Sequence, residues 1–312
     1  MTKLISIVIP VFNETEVLPT SHPALKNVVR TLPYDVEIIY VDDGSLDGTG
    51  KLLKNLADTD PQTRCVYLSR NFGHQAALCA GLDQAHGDIV ISMDCDGQHP
   101  PQVIPEMLSL IENGYDIVQT QRMENQNLPA LKKVTSGLFY ALINKISGTY
   151  INPGAADFRA LSRQALDALR SMPEYHRFLR GMISWMGFRS IILPYQEAQR
   201  TMGTSKYSIG KMVRLASDAI FSFSLIPLYI GLSAGGVFIL LAVAQILYVL
   251  YLWAAGMHDQ IEPGWSSLMA VLLIASGIIM ILLGFIGVYI GYIFQQVKGR
   301  PVYLTMKEPR SE

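Results

Sequence analysis

Charged residues are scarce in this 312-residue sequence. Asp, Glu, Lys and Arg make up 16% of the chain, hydrophobic residues make up 50%, and the formal net charge is −1. So low a charge content indicates a chain that lies partly in a membrane. The lack of a basic excess argues against a nucleic-acid partner.

Cysteine is also rare, and two common nucleotide-binding signatures are missing. The three cysteines, Cys65, Cys79 and Cys95, are odd in number and form no CxxC pair. This excludes a disulfide framework and a cysteine zinc site, and predicts a reducing, cytosolic setting. Neither GxGxxG nor GxxxxGK[ST] occurs, so no dinucleotide-binding fold or P-loop is indicated. The N-terminal apolar run is interrupted by Pro10 and is too short for a signal peptide, so it is interpreted as a first strand.

Two long segments contain no charged residue at all. They lie between Asp218 and Asp259 and between Glu262 and Lys298. Each exceeds the roughly 20 apolar residues that a membrane-crossing helix needs. We therefore predict two transmembrane helices, near 226–253 and 266–294. The alternative, two buried helices of a soluble domain, is disfavoured because such helices rarely stay uncharged for so long.

The charges around these segments predict their orientation. The connector HDQIEPG carries acids but neither Lys nor Arg, whereas basic residues flank the outer ends: Lys206, Lys211, Arg214, Lys298, Arg300, Lys307 and Arg310. The positive-inside rule then places both outer flanks in the cytosol. Apolar residues recur at helical spacing within 204–224, which predicts an amphipathic juxtamembrane helix at headgroup level. Residues 298–312 are expected to be a cytosolic tail.

Residues 1–203 alternate strand-like and helix-like stretches. The runs LISIVI, VEIIYV, RCVYL, IVISM and DIVQT are typical of buried strands, with helical spacing between them. This alternation predicts an α/β domain with a mostly parallel sheet, and ligands bind beyond the carboxyl ends of such strands. Polar residues follow those ends: Asn13, Glu14, Asp42, Asp43, Arg70, Asn71, Asp94, Asp96, Gln98 and Arg122.

The stretch IVISMDCDGQHPP carries the strongest chemical signal. Asp94 and Asp96 follow a strand one residue apart, and prolines stop the strand from continuing. Two such carboxylates can converge on Mg²⁺ or Mn²⁺ together with phosphate oxygens of a substrate. The alternative is an ordinary surface turn, because Asp-x-Asp alone is a weak motif.

Four motifs in order give a more specific indication. The runs IVIPVFNE, VDDGSLDGT, SRNFGHQAAL and MDCDGQHPP closely resemble the GT-A fold enzymes of glycosyltransferase family 2. The later SKYS and the paired apolar segments are similar to the polyprenyl-phosphate (dolichol-phosphate type) enzymes of that family. The resemblance covers essentially the whole chain.

The resemblance implies a donor site built from several strand ends. Pro10, Phe12, Glu14 and Asp42 would surround the nucleoside, and Asp94, Asp96 and Gln98 would hold Mg²⁺ or Mn²⁺ with the diphosphate. For Glu14 and Asp43, helix capping and turn formation remain alternatives. Relatives usually have Asp-Ala-Asp; here Cys95 is in the middle, and its side chain is expected to point away from both acids. His99 is interpreted as a loop histidine and not as a ligand.

The resemblance also implies roles for residues later in the chain. Asp157, expected in a polar gap before a helix, would face the acceptor as a base, and Asp96 would share the catalytic role. A phosphate monoester has its second pKa near 6, so the acceptor is already substantially ionised at cytosolic pH. Asp157 would then orient the acceptor and not deprotonate it, which is the alternative role. A third interpretation is an N-terminal helix carboxylate. Arg200 and Lys206 match the family's R-x-x-G-x-S-K-Y segment on the diphosphate, and Arg122 would contact sugar or phosphate. The remaining arginines, including Arg180, are interpreted as solvated or membrane-proximal charges.

The implied activity is the inverting transfer of one sugar to polyprenyl phosphate. UDP-glucose is the first choice of donor, and the enzyme would be an integral protein of the bacterial inner membrane with its catalytic domain in the cytosol. Similar proteins form homo-oligomers, among them tetramers. Two alternatives remain: a processive polysaccharide synthase of the same fold, whose Gln-x-x-Arg-Trp motif is missing here, and a non-catalytic nucleotide-sugar-binding membrane module.

Overall fold

A computed structural model describes residues 2–123, 155–175, 177–196 and 264–309, with scattered positions between 229 and 256. The chain divides into two compact units. The first comprises residues 1–219 and 300–312, and the second comprises residues 220–299. The amphipathic segment predicted at 204–224 lies outside the described residues.

The first unit contains an eight-stranded sheet with helices on its faces. The strands are β1 (Leu4–Val11), β2 (Asp35–Asp42), β3 (Thr63–Leu68), β4 (Ile89–Ser92), β5 (Ile117–Arg122), β6 (Ala155–Ser162), β7 (Ser190–Tyr195) and β8 (Thr305–Met306). The helices of this unit are α1 (Leu18–Val29), α2 (Thr49–Thr59), α3 (His74–Gln84), α4 (Ile104–Glu112), α5 (Arg163–Ser171) and α6 (Leu179–Trp185), with a 3₁₀ turn at Pro101–Val103. The strand order is β7-β5-β6-β4-β1-β2-β3-β8.

Most neighbouring strands of the sheet run parallel. The pairs β1–β2, β1–β4, β2–β3 and β5–β7 are parallel, whereas β6 is antiparallel to both β4 and β5. The central strands β1, β2 and β4 are almost wholly buried, as expected for strands covered on both faces. The prediction of an α/β fold with a mostly parallel sheet is confirmed.

Helix α3 packs closely against the sheet at a glycine. Seven consecutive residues of this helix, from Ala76 to Leu82, are buried. A Cβ atom at Gly81 would lie 2.2 Å from Val8 Cγ1 and 2.9 Å from Val41 Cγ2. Glycine at this position therefore lets the helix backbone contact strands β1 and β2 directly.

Residues 300–309 belong to the sheet unit, although the sequence indicates only a tail. Strand β8 pairs antiparallel with β3, and Ser69 N donates to Leu304 O at 2.9 Å. The Tyr303 hydroxyl donates to Asp83 Oδ2 at 2.9 Å. A strand of two residues is too short to give an alternating pattern, so periodicity could not predict it.

The second unit contains the long apolar helix α7, Trp265–Val297, which covers the predicted span at 266–294. Within the described residues, Ile274–Val297 is the one helical segment long and apolar enough to cross a bilayer, and none of it is buried. The first predicted span, 226–253, falls mainly on residues outside the described ranges, so two transmembrane helices are not confirmed.

Candidate active site

The predicted acids meet at one edge of the sheet. Asp94 and Asp96 follow the carboxyl end of β4, and the antiparallel strand β6 begins beside that end, with Arg159 opposite Ser92. The Ser92 hydroxyl donates to the backbone oxygen of Asp157 at 2.7 Å. Asp157 therefore lies on the same edge as the Asp-x-Asp acids.

The loops after β1 and β2 are joined to each other and form the other side of this edge. Asn13, which has a φ of 54°, donates its backbone N–H to Ser45 Oγ at 2.9 Å, and Glu14 donates its own to Thr49 Oγ1 at 3.0 Å. Asp42 is buried at the end of β2, and its Oδ1 accepts from Ser45 N at 2.9 Å. Burial raises the pKa of the Asp42 carboxyl, although this hydrogen bond opposes the rise.

Pro10 is buried in β1, directly opposite Val41 of β2, and Phe12 is half-buried just after β1. Both residues therefore lie at the carboxyl end of β1. Whether they contact a nucleoside stays a prediction.

The acid next to Asp42 holds the loop that follows β3. Asp43 accepts from the backbone N–H groups of Phe72 at 2.7 Å and Gly73 at 3.0 Å, directly before α3 begins. The loops cross closely here: Gly44 has a φ of 71°, and a Cβ on it would lie 2.5 Å from the Arg70 carbonyl carbon. Only glycine fits this crossing, which fixes the position of the α3 N-terminus.

Asp157 lies inside strand β6 and not in the predicted gap before a helix, so its interpretation as an N-terminal helix carboxylate is wrong. Helix α5 instead begins at Arg163, capped by Ser162. The side chain of Asp157 is only 8% exposed and forms an ion pair with Arg159. Arg180 binds both of its oxygens, Nε to Oδ1 at 3.2 Å and Nη2 to Oδ2 at 3.0 Å.

These contacts decide the charge of Asp157. Burial alone would raise the pKa of its carboxyl, but the guanidinium groups of Arg180 and Arg159, with a contribution from His74, hold that pKa well below its ordinary value. The pair formed by Arg180 corrects its interpretation as a solvated charge. A carboxylate bound so strongly by cations is a poor proton acceptor at neutral pH.

His74, at the first position of α3, connects the two acidic groups. Its Nε2 lies 3.4 Å from Asp94 Oδ1 and 3.6 Å from Asp157 Oδ2, and its side chain is 44% exposed. Burial opposes the charged imidazolium, but the carboxylates of Asp94 and Asp157 outweigh it and raise the pKa of His74 to about 9. A cation therefore lies between Asp94 and Asp157.

His99 lies on the other side of Asp94. It is buried, and its Nδ1 accepts from the backbone N–H of Asp94 at 2.8 Å. Burial lowers the pKa of its imidazole, and the charges of Asp94, Asp96, Arg122 and Asp157 all act on the ring. His99 therefore contacts Asp94 directly and lies within the electrostatic influence of three other predicted site residues.

The residues after β4 suit a divalent cation that is shared with a substrate. Asp94 Oδ1 is buried and makes no hydrogen bond within the described part of the chain, and the His74 imidazole lies 3.4 Å from it, so this oxygen already faces a cationic group. Gln98 donates its backbone N–H to Asp96 Oδ1 at 3.1 Å, which keeps this loop tight. No group of three or more His, Cys, Asp or Glu side chains among the described residues is arranged to hold a metal alone. Two acids and an amide leave room for the water and phosphate oxygens that Mg²⁺ prefers.

The structure reveals four site residues that the sequence analysis did not assign, and it omits two that were assigned. His74, His99, Arg159 and Arg180 all contact Asp94 or Asp157. His74 lies in the run SRNFGHQAAL and His99 in the run MDCDGQHPP, so their positions in these motifs could have indicated that they belong to the site. Arg180 lies 23 positions from its partner, and nothing local in the sequence indicates the pair. Arg200 and Lys206 fall outside the described residues.

The chain was compared with known proteins. The family described as "Glycosyl transferase family 2" matches residues 6–170, more than half of the chain. The "SfII prophage-derived bactoprenol glucosyl transferase" of Shigella flexneri is 37% identical over 310 residues, covering 98% of each chain. The "Uncharacterized glycosyltransferase YkcC" of Bacillus subtilis (strain 168) is 36% identical over 303 residues, covering 97% of this chain and 93% of the relative.

Solved structures were also compared. The mannosyltransferase PcManGT from Pyrobaculum calidifontis, in complex with GDP-Man and Mn²⁺, is 17% identical with a TM-score of 0.46, covering 91% of this chain and 88% of that one. Because this TM-score is below 0.5, the fold is inferred from the chain's own sheet. The sequence matches, by contrast, extend over nearly the whole chain, and they show that this protein is a glycosyltransferase belonging to glycosyltransferase family 2.

Proposed function

We propose that this protein transfers a single glucose from UDP-glucose to polyprenyl phosphate, with inversion, at the cytosolic face of the bacterial inner membrane. The observation that carries the proposal is the similarity, over 98% of each chain, to a relative named bactoprenol glucosyl transferase. The long apolar helix Trp265–Val297 agrees with an acceptor that is a membrane lipid. A homo-oligomer, expected from the resemblance, stays a prediction that mass measurement in detergent would test.

The donor would lie across the carboxyl ends of β1, β2 and β4. Phe12 and Pro10 offer apolar surface to the base, and the carboxylates of Glu14 and Asp42 suit base N–H or ribose hydroxyl groups. The diphosphate would contact Arg200 and Lys206, because guanidinium and ammonium groups suit phosphate oxygens.

Asp94, Asp96 and Gln98 are the residues that would hold Mg²⁺ or Mn²⁺ at the diphosphate. The bound cation supplies Lewis-acid and electrostatic stabilisation of the charge that develops on the leaving diphosphate. Asp94 Oδ1 is buried, makes no hydrogen bond in the described part of the chain and faces the cationic His74 at 3.4 Å, which supports a position suited to positive charge.

The acceptor phosphate would approach from the side of Asp157. Its second pKa is near 6, so it is largely ionised at neutral pH and needs no strong base. The lowered pKa of Asp157 supports a positioning role, in which this carboxylate holds Arg180 and His74 at the site. A phosphate oxygen then forms a bond to the anomeric carbon, the bond from that carbon to the diphosphate breaks on the opposite side, and UDP leaves.

One assay tests the proposal. Purified full-length protein is incubated with polyprenyl phosphate, Mg²⁺ or Mn²⁺, and a panel of radiolabelled UDP- and GDP-sugars. We expect label from UDP-glucose to enter the lipid phase as a single-sugar product whose anomeric configuration, read by NMR, is inverted. Products that lengthen with time would support the polysaccharide synthase, and the absence of label with every donor would support the non-catalytic module.

A further inference from the structure

His99 is enclosed more completely than a loop histidine needs to be. Its side chain is 0% exposed. The imidazole stacks on Phe158, with ring centroids 5.1 Å apart and planes 17° from parallel, and meets Tyr195 edge-on at 6.0 Å. The two aromatic residues come from β6 and β7, which flank β5 in the sheet. The ring is therefore held in one orientation by packing alone.

The hydrogen bonds of His99 define which ring nitrogen carries the proton. Nδ1 accepts from the backbone N–H of Asp94 at 2.8 Å, so a neutral ring carries its hydrogen on Nε2. That Nε2 is buried without a hydrogen-bond partner in the described part of the chain, and it lies 3.7 Å from Asp94 Oδ2. The donor is thus aimed at a carboxylate that it does not yet reach.

Asp94 shows the matching feature. Its Oδ1 makes no hydrogen bond among the described residues and faces the His74 imidazole at 3.4 Å, while its Oδ2 faces His99. An N–H···O bond of ordinary length, about 2.9 Å, requires Nε2 and Oδ2 to approach by roughly 0.8 Å. A small movement of the Asp94 carboxylate would satisfy the buried donor and leave Oδ1 for another partner.

We infer that His99 is a positioning residue that holds Asp94 Oδ2 so that Oδ1 is presented to a divalent cation. The inference rests on the metal site of the proposed function. His99 accepts from the backbone N–H of Asp94 through Nδ1 and directs Nε2 at Oδ2 of the same residue, 3.7 Å away, so closing that gap would fix Asp94 at two points. Groups that orient metal-binding carboxylates in this way contribute strongly to metal affinity.

The test uses Mn²⁺ as the probe and does not depend on turnover. Mn²⁺ binding to the full-length protein is titrated by electron paramagnetic resonance in the presence of UDP. Binding of UDP alone is measured in EDTA. In parallel, the ¹⁵N shifts of the histidine rings, assigned by replacing the other histidines in turn, report the tautomer of His99, for which we expect a proton on Nε2 alone.

Two variants separate orientation from packing. His99→Asn places an acceptor near the position of Nδ1 but has no donor at Nε2, whereas His99→Gln can place an amide N–H near Nε2. Both variants lose the stacking on Phe158, so a purely structural role predicts equal effects. We expect His99→Asn to weaken Mn²⁺ binding at least about tenfold and His99→Gln by less than about threefold, with UDP binding in EDTA unchanged in both.

The outcomes are distinguishable. Equal Mn²⁺ affinities for the unaltered protein and His99→Asn, or equal losses in both variants, would overturn the role of His99 while leaving the proposed metal site intact. If neither variant folds, a proton on Nδ1 in the unaltered protein overturns the inference, and a proton on Nε2 alone supports it. If the unaltered protein binds no Mn²⁺ with UDP present, the metal site of the proposed function fails, and the inference fails with it.

Discussion

Asp157→Asn removes the negative charge that pairs with Arg159 of β6 and Arg180 of α6. The buried Arg159 and the partly exposed Arg180 both lose their anionic partner, and an amide can accept from one guanidinium but presents a donor to the other. Removing one partner of a buried ion pair costs about 3–5 kcal/mol. Because the Arg180 side chain is 23% exposed and water can solvate it, we expect a loss near the lower end, about 3 kcal/mol.

Thermal unfolding of the purified protein measures this loss. For a domain of about 200 residues, 1 kcal/mol shifts Tm by roughly 2–4 °C, so Asp157→Asn should lower Tm by about 6–12 °C. Asp167→Asn is the matched control, since Asp167 also pairs with two arginines, Arg163 at 3.1 Å and Arg170 at 3.6 Å, but is 53% exposed. Exposed pairs contribute about 0–1 kcal/mol. Equal Tm shifts for the two variants would refute the reasoning.

The same variant tests the role of Asp157 in transfer. A group whose folded pKa is lowered stabilises the protein above its ordinary pKa, and this contribution is lost only as the pH falls below that value. Asp157 therefore stays charged across the range of the assay. The acceptor phosphate takes up a proton as the pH falls below about 6 and then becomes a weaker nucleophile. We therefore expect kcat to decline around that pH in both the unaltered protein and the variant. Loss of that decline in the variant, together with a kcat reduction of 10² or more, would instead identify Asp157 as a base.

Three further changes test other parts of the structure. Asp96→Ala should abolish sugar transfer to the lipid phase while lowering Tm by only roughly 2–4 °C, because the half-buried carboxylate loses the hydrogen bond from Gln98 N, worth about 1 kcal/mol; normal transfer would contradict the metal assignment. Gly81→Ala should cost about 1–3 kcal/mol by overpacking against Val8. Adding Val8→Ala should recover part of that loss, and simple additivity of the two would contradict the contact. Tyr303→Phe, which removes the hydrogen bond to Asp83, should cost about 1 kcal/mol and speed amide exchange in β8; unchanged exchange would contradict the role of that bond.

The parallel part of the fold could be predicted because its strands are buried on both faces. Runs such as Ile5–Ile9 and Ile38–Val41 are apolar or β-branched throughout, and such runs indicate buried strands without knowledge of their neighbours. The edge where ligands bind then follows from the direction of parallel strands. The direction of the strands is thus enough to predict that Asp94, Asp96 and Asp42 lie at that edge, while their roles in binding stay predictions.

Strand β6 could not be predicted in the same way because two of its buried residues are charged. Asp157 and Arg159 stand two positions apart, so their side chains share one face of the strand and neutralise each other. A hydrophobicity pattern counts Asp157 and Arg159 as two polar residues whether or not they form an ion pair, and it therefore indicates a loop. The remaining partners, Arg180 and His74, come from two helices distant in sequence, and such long-range pairs leave no local pattern.

Strand β8 has a consequence for biosynthesis. The sheet unit is assembled from residues 1–219 and 300–312, so its outermost strand is translated only after the apolar helix α7 has been made. A nascent chain on the ribosome can form β1 to β7 early, but the edge of β3 stays open until residues 305–306 emerge. Completion of the sheet thus comes after the synthesis of α7, and a ribosome that stalls within α7 leaves β3 as an unpaired edge, a known template for aggregation.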